Sequence, residues 1–459
     1  MNRTGRPLIW LLAGLLMAGG PGSPLITTAA AAASDTASGT SSGTASATAS
    51  ATPAPTAATP AANAPGAAPA GTPAPAPAPA DTPAARGKYL ADAGNCVSCH
   101  TPPGGAAFAG GLGFTTPLGT IYSSNITPDN ATGIGQWTAA DLRRAMHEGI
   151  GRGGYHLFPA FPYTSFTKVT DEDVDAIYVY LRTLAPVRHT PPANSLLFRL
   201  RWGMSVWNWL FFKPGRFQPD AKQSAEWNRG AYLVGGLGHC DACHSPRNVF
   251  LAEIAGRSYA GGSLTDRVID DQMRRWSAIN LTSAHSGLAA WSVDNLTRYL
   301  KNGFSPRAGT FGPMNEVIVN SLHNLTSDDI HAMATYLKSL TARDENSTTV
   351  PADAVSAGAG IYKDRCEECH GSSGRGGLFN GPPLAGSPVV QDADPATLVN
   401  VVLYGPTLPK GISFGAWETM KPYRDVLNDS EIAAVANYIR GSWDNRAPPL
   451  TASDVAKQR

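Results

Sequence analysis

All six cysteines of this 459-residue chain fall in three copies of one five-residue pattern. The copies are Cys96-Val97-Ser98-Cys99-His100, Cys240-Asp241-Ala242-Cys243-His244 and Cys366-Glu367-Glu368-Cys369-His370. In each, two thiols lie one helical turn apart and an imidazole follows at once. Thiols so spaced can bond two vinyl groups along one edge of a porphyrin, and the adjacent His is then turned onto the iron as proximal ligand. Zinc sites combine two such pairs or add a spaced His pair, which three separated copies do not supply. A redox dithiol expects a βαβ surrounding, which is missing. The pattern points to three covalently bound haem c groups.

The repetition extends beyond the motif. Arg86-Gly87-Lys88-Tyr89-Leu90 and Arg229-Gly230-Ala231-Tyr232-Leu233 precede the first two copies, and the weaker Gly358-Ala359-Gly360-Ile361-Tyr362 precedes the third. Each repeat closes on a helix with a start signal: Thr170 with Asp173, Thr326 with Asp329, Asn428 with Glu431. Each is a cap residue with a carboxylate three positions on. Apolar residues then recur at helical spacing, as in Val174, Ile177 and Leu181, or Ile432, Val435 and Ile439. Asn125-Ile126-Thr127 and Asn280-Leu281-Thr282 match a glycosylation triplet but recur as part of the repeat, so they carry no modification reading. Trp137 and Trp291 read as core.

These signals predict an all-α chain of three tandem class-I-like cytochrome c domains, at 85–185, 225–342 and 353–445, with a C-terminal tail at 446–459. Domains this small bury little surface alone, and a haem would complete each core. Arg3 and Arg6 before the apolar run Leu8 to Met17, then an Ala-rich stretch, predict a signal peptide at 1–33. Residues 34–84 are almost only Ala, Pro, Thr, Ser and Gly, and predict a disordered tether. The net charge of +1 excludes a strongly basic nucleic-acid binder. No apolar run reaches the ~18 residues of a spanning helix.

Electron-transfer haems commonly add a Met opposite the His, which raises the potential. Met314 in Phe311-Gly312-Pro313-Met314 and Met420 in Glu418-Thr419-Met420-Lys421-Pro422 suit this role in the second and third repeats. Met273 and Met333 fall at helical spacing and read as core. The first repeat has no Met in the corresponding loop, and Phe161 stands in its place. His156, Met146, His147 or an empty position remain open there. His189, His239, His285, His323 and His331 read as surface or hydrogen-bonded structural residues. Arg247 is a candidate partner for a haem propionate.

A strap at 186–224 joins the first two domains. Its segment 198–217 is rich in aromatics and flanked by Arg199, Arg201, Lys213 and Arg216. It suits a membrane interface or packing on the haem domains.

The chain resembles the triheme cytochrome c subunits of membrane-bound periplasmic dehydrogenases of the alcohol, gluconate, sorbitol and fructose type. The resemblance rests on Gly94-Asn95-Cys96 to Thr101, Gly119-Thr120-Ile121-Tyr122-Ser123-Ser124-Asn125 to Asp129, Phe158-Pro159-Ala160-Phe161-Pro162-Tyr163, Cys240 to Arg247 and Gly312-Pro313-Met314-Asn315-Glu316-Val317. It implies His100, His244, His370, Met314 and Met420 as axial ligands, and many such subunits carry Met where this chain has Phe161. It also implies a catalytic-subunit partner, ubiquinone or another respiratory acceptor, and a place at the periplasmic face of the bacterial cytoplasmic membrane. The protein would then be an electron-transfer subunit with no catalysis of its own. A peroxidase-like enzyme using an open first haem, or a free-standing periplasmic carrier, are the alternatives.

Overall fold

The computed structural model describes residues 82–116, 119–195, 201–269, 272–343, 348–377, 380–409 and 417–459. The expected signal peptide, and the tether up to residue 81, lie outside the described residues. The first repeat runs α1 (Pro83–Ala93), α2 (Cys96–His100), a hairpin of β1 (Gly113–Thr116) and β2 (Gly119–Tyr122), α3 (Ala139–Glu148), α4 (Tyr163–Phe166) and α5 (Asp171–Thr183). Helix α1 starts at Pro83, inside the stretch expected as tether, because the Thr82 side chain caps it by accepting from the Ala85 N–H. Among the described residues of the strap lies one helix, α6 (Gly203–Phe211).

The second repeat runs α7 (Ala225–Tyr232), α8 (Asp241–His244), β3 (Gly262–Ile269), β4 (Gln272–Ala278), α9 (Val293–Asn302), the two-residue strands β5 (Phe304–Ser305) and β6 (Ala308–Gly309), α10 (Met314–Asn320) and α11 (Ser327–Ser339). The third runs α12 (Ala352–Arg365), α13 (Glu367–His370), α14 (Pro388–Gln391), α15 (Ala396–Tyr404) and α16 (Asp429–Gly441). A last helix, α17 (Ala452–Ala456), gives structure to the expected tail and packs on α15 and α16. The three antiparallel two-stranded sheets among the described residues depart from the all-α expectation.

In each repeat the first helix crosses the last. A Cβ at Gly87, Gly230 or Gly358 would lie 1.9, 2.0 or 2.1 Å from the carbonyl oxygen of Ala176, Ala332 or Ala434. Only a residue without a side chain permits that approach. The next contact is the Cβ of Tyr180, Tyr336 or Tyr438, so one contact recurs three times. The chain between this glycine and the first Cys differs in length by a residue from repeat to repeat (87 to 96, 230 to 240, 358 to 366). The second repeat, the longest, absorbs its extra residue in a π-helical turn, Leu233–Leu237.

The first two repeats share one apolar core, in which Leu90 and Ile177 join Leu233, Leu237 and Ile330. The third has its own, with Tyr362, Leu403 and Ile432. The hairpin β3–β4 and its neighbours tie the third repeat to the second. Thr397 Oγ1 accepts from the Ser277 N–H and donates to its carbonyl, both at 2.8 Å. Asn400 Nδ2 donates to the Arg275 carbonyl (2.8 Å), and Arg275 pairs with Asp394 (2.7 Å).

Candidate haem sites

The three closing helices begin where the start signals place them, but the carboxylates divide in use. In the third repeat Asn428 and Glu431 form the reciprocal capping box. In the first two, Thr170 and Thr326 accept from the backbone of Asp173 and Asp329. The Asp side chains turn elsewhere. Asp173 binds Arg86 of its own repeat and accepts from Tyr232 Oη of the second at 2.6 Å. Asp329 binds Arg229 twice at 2.7 Å and accepts from Tyr89 Oη of the first at 2.5 Å. The two repeats thus exchange the same bond about a local pseudo-two-fold axis.

That exchange brings the attachment turns together. Asn320 Nδ2, at the end of α10, donates to Ser98 Oγ between Cys96 and Cys99 (2.9 Å). Reciprocally, Ser165 of α4 donates to Asp241 Oδ1 between Cys240 and Cys243 (2.9 Å). The segment ahead of each closing helix therefore touches the Cys-x-x-Cys-His turn of the other repeat.

The six thiols form no disulfide. Burial pushes Cys96, Cys99 and Cys240 up to about 12, and Cys366 up to about 11. Each motif histidine is held by a backbone carbonyl. His100 Nδ1–H donates to Ser124 (2.7 Å), His244 to Ile279 (2.7 Å) and His370 to Pro382 (2.9 Å). A carbonyl can only accept, so the proton sits on Nδ1 and Nε2 keeps its lone pair. Burial lowers all three imidazoles below their ordinary pKa, favouring the neutral, ligating form.

The holding carbonyls are the part that sequence reasoning missed, although a signal existed. Ser124 and Ile279 directly precede Asn125 and Asn280 of the repeated triplets. Asn125 Oδ1 accepts from the N–H and hydroxyl of Thr127 (2.9 and 2.7 Å), and Asn280 Oδ1 likewise from Thr282 (2.8 and 2.7 Å). Both Asn residues are buried, and both donate to the chain after the closing helix, at Val187 and Arg343 (2.7 Å each). The triplet is a brace that fixes the carbonyl holding the motif imidazole.

Met314 opens α10 against the shared core, and Met420 packs on the core of the third repeat. Met333 is buried core; Met273 lies in β4. Trp291 is buried and Trp137 half-buried against the same core. The indole N–H groups of Trp276 and Trp291 are buried with no protein acceptor, which fits a cofactor carrying carboxylates in the second repeat. Arg247 donates to the Leu251 and Ala242 carbonyls (2.7 Å each) and faces Glu253 at 3.5 Å, bracing its own loop. His156 faces the strap: its Nδ1 meets the Asn208 amide at 3.3 Å and its carbonyl accepts from Arg201 (2.8 Å). Of the other histidines, His331 pairs with Glu226 at 2.5 Å, and His239 is half-buried with its ring 5.5 Å from Phe166.

Cys-x-x-Cys-His turns whose imidazoles are braced by backbone carbonyls are the mark of a c-type cytochrome. Comparison with known proteins agrees. The family model for cytochrome c matches residues 84–185, and that for cytochrome c oxidase, cbb3-type, subunit III matches residues 353–439. The chain is 40% identical over 402 residues to the gluconate 2-dehydrogenase cytochrome c subunit of Pantoea cypripedii, covering 82% of this chain and 89% of that one. It is 38% identical over 397 residues to the cytochrome c subunit of the quinone alcohol dehydrogenase of Gluconacetobacter polyoxogenes, covering 82% and 83%. It is also 43% identical over 387 residues to a nicotinate dehydrogenase subunit of Pseudomonas putida, covering 82% of this chain but only 32% of that longer one. The chain belongs to the family of cytochrome c electron-transfer subunits of dehydrogenase complexes.

Proposed function

We propose that this subunit carries three haem c groups, takes electrons from a dehydrogenase catalytic subunit and hands them to ubiquinone or another respiratory acceptor at the periplasmic membrane face. The observation that carries this reading is the threefold recurrence of one site: an attachment turn, a proximal His braced through Nδ1, and a closing helix docked on a glycine. Cys96 and Cys99, Cys240 and Cys243, and Cys366 and Cys369 would hold the groups, with His100, His244 and His370 as proximal ligands and Met314 and Met420 opposite the second and third. Bound haem supplies one-electron storage. The chain's own residues fix the imidazoles in the ligating tautomer and pack the first two attachment turns against the neighbouring repeat. Adjacent sites suit direct electron passage. Haem quantified per chain, with a redox titration in the presence of the co-purified partner, tests the reading. Fewer than three haems, or no reduction by a partner dehydrogenase, would reject it.

Helix α6 supports the membrane part. Its inner side is anchored: Asn208 Oδ1 accepts from Tyr163 Oη (2.6 Å), and Trp207 Nε1 donates to the Phe250 carbonyl (3.0 Å). Its outer side leaves Trp209 81% and Trp202 69% exposed, with Val206, Leu210 and the neighbouring Val249 and Phe250 exposed as well. Of the cations expected to meet lipid headgroups, Arg201 instead lies over the Tyr155 ring at 4.6 Å and Arg216 pairs with Asp171 at 2.8 Å. An exposed aromatic and aliphatic face is the better basis for interfacial binding. Trp202→Ser with Trp209→Ser keeps the anchoring contacts and should release the haem-loaded chain from vesicles. Unchanged partitioning would leave this face to the catalytic subunit. Among the described residues no helix is long and apolar enough to cross a membrane.

A further inference from the structure

The first repeat differs from the second at a position that two shared backbone landmarks place. In both, the helix ahead of the distal loop ends on a left-handed glycine, Gly149 after α3 and Gly303 after α9. In both, an N–H further on returns to that glycine's carbonyl at 2.7 Å, from Leu157 in the first repeat and Thr310 in the second. Four residues past this bond stand Phe161 and Met314. The second repeat therefore presents a thioether where the first presents a phenyl ring, packed on the shared core and edge-on to Phe166 at 5.3 Å.

The other candidates lie elsewhere in the same register. His156 immediately precedes Leu157, where the second repeat has Gly309, and its ring meets Asn208 of the strap. His147, two residues before Gly149, matches Lys301, whose amine donates to the His323 carbonyl (2.7 Å) and to Leu325 just before the closing helix. At the equivalent place His147 Nδ1 lies 3.6 Å from Asp171, the first residue of α5. Met146 matches Leu300, and both are buried in the shared core.

Building on the haem reading, we propose that the protein holds the first haem iron from one side only, through His100, with Phe161 as an apolar cover over the opposite face. That face takes a small uncharged diatomic ligand such as carbon monoxide or nitric oxide. An apolar cover disfavours a hydrated anion, which would lose its water shell without gaining a partner. The bond formed is ligand to iron, with no group leaving the protein.

The test uses the full haem-loaded chain. Carbon monoxide added to the reduced protein should bind at a single haem, and the oxidised protein should show one high-spin haem beside low-spin ones. Phe161→Met should abolish carbon monoxide binding, convert the high-spin haem to low-spin and raise one reduction potential. Met146→Leu, and Met204→Leu at the buried residue of α6, should leave both signals unchanged. Three low-spin haems that take no carbon monoxide in the unaltered chain would overturn this inference alone. New high-spin signal in either Met variant would overturn it by naming the ligand. A chain that holds no haem would overturn the haem reading and this inference with it.

Discussion

Tyr89 of the first repeat donates to Asp329 of the second across 2.5 Å, and its counterpart Tyr232 returns the bond to Asp173 across 2.6 Å. Each hydroxyl also meets the start of the other repeat's closing helix, Tyr89 Oη by accepting from the Thr326 N–H (3.1 Å) and Tyr232 Oη from Thr170 (3.2 Å). The pair converts two small domains into one body with a common core. Two residues after its crossing glycine, where the others carry these tyrosines, the third repeat has Gly360, and its Glu431 closes its own cap.

Tyr89→Phe and Tyr232→Phe should each lower the stability of the first two repeats by about 1–3 kcal/mol, since each leaves a buried carboxylate one donor short. Arg229 and Arg86 still hold the two Asp groups, which keeps the loss toward the lower end. Denaturant unfolding followed separately at the haem bands of each domain measures it. An unfolding midpoint that does not move would show the exchange to be energetically idle.

Gly87→Ala, Gly230→Ala and Gly358→Ala should each prevent haem-loaded protein from accumulating, because the new Cβ meets a backbone oxygen at 1.9–2.1 Å in all three crossings. Gly360→Ala sits in the same helix as Gly358 with nothing within 4 Å, and should stabilise by up to about 1 kcal/mol. Haem content and thermal midpoint of the four variants, made in parallel, distinguish the two behaviours.

Met314→Ala and Met420→Ala should each lower one reduction potential and leave the others nearly fixed. The drop should be a sizeable fraction of the roughly 0.8 V that axial ligation spans. A spectroelectrochemical titration resolves them. Any variant that shifts no potential rejects that Met as a ligand.

His147 is 2% exposed, and burial first, then the nearby Arg216, bring its pKa down from 6.5 to about 4, against a smaller opposing pull from Asp171. Between these values the unfolded chain binds a proton that the folded chain refuses. Stability should therefore fall as pH drops from about 6.5 to about 4 and be insensitive to this group on either side. His147→Leu should flatten that part of the profile, since the third repeat already places Leu403 two residues before its own C-cap glycine, Gly405. Denaturant midpoints across the window decide it.

Much of the site was legible because its chemistry demands residue types at fixed short spacings. The Cys pairs, their His residues, the cap residues of the closing helices and the repeat glycines are local statements, and each falls on the element its neighbours dictate. Arg247 and His156 were less legible. Both are polar residues near a motif, and whether such a group faces a cofactor or a neighbouring loop depends on chain that arrives from elsewhere: the 242–253 loop for one, the strap for the other. Residues 34–81 remain an expectation of composition alone.

The sequence by itself determined that this chain carries three copies of one attachment turn and closing helix, because covalent geometry and helix periodicity act over a few residues. Only the tertiary structure decided that Asp173 and Asp329 serve the neighbouring repeat rather than their own caps, that the carbonyls ahead of Asn125 and Asn280 hold the motif imidazoles, and that His156 meets the strap. These are contacts between segments far apart in the chain, and their free energy exists only once both segments have been brought to one place.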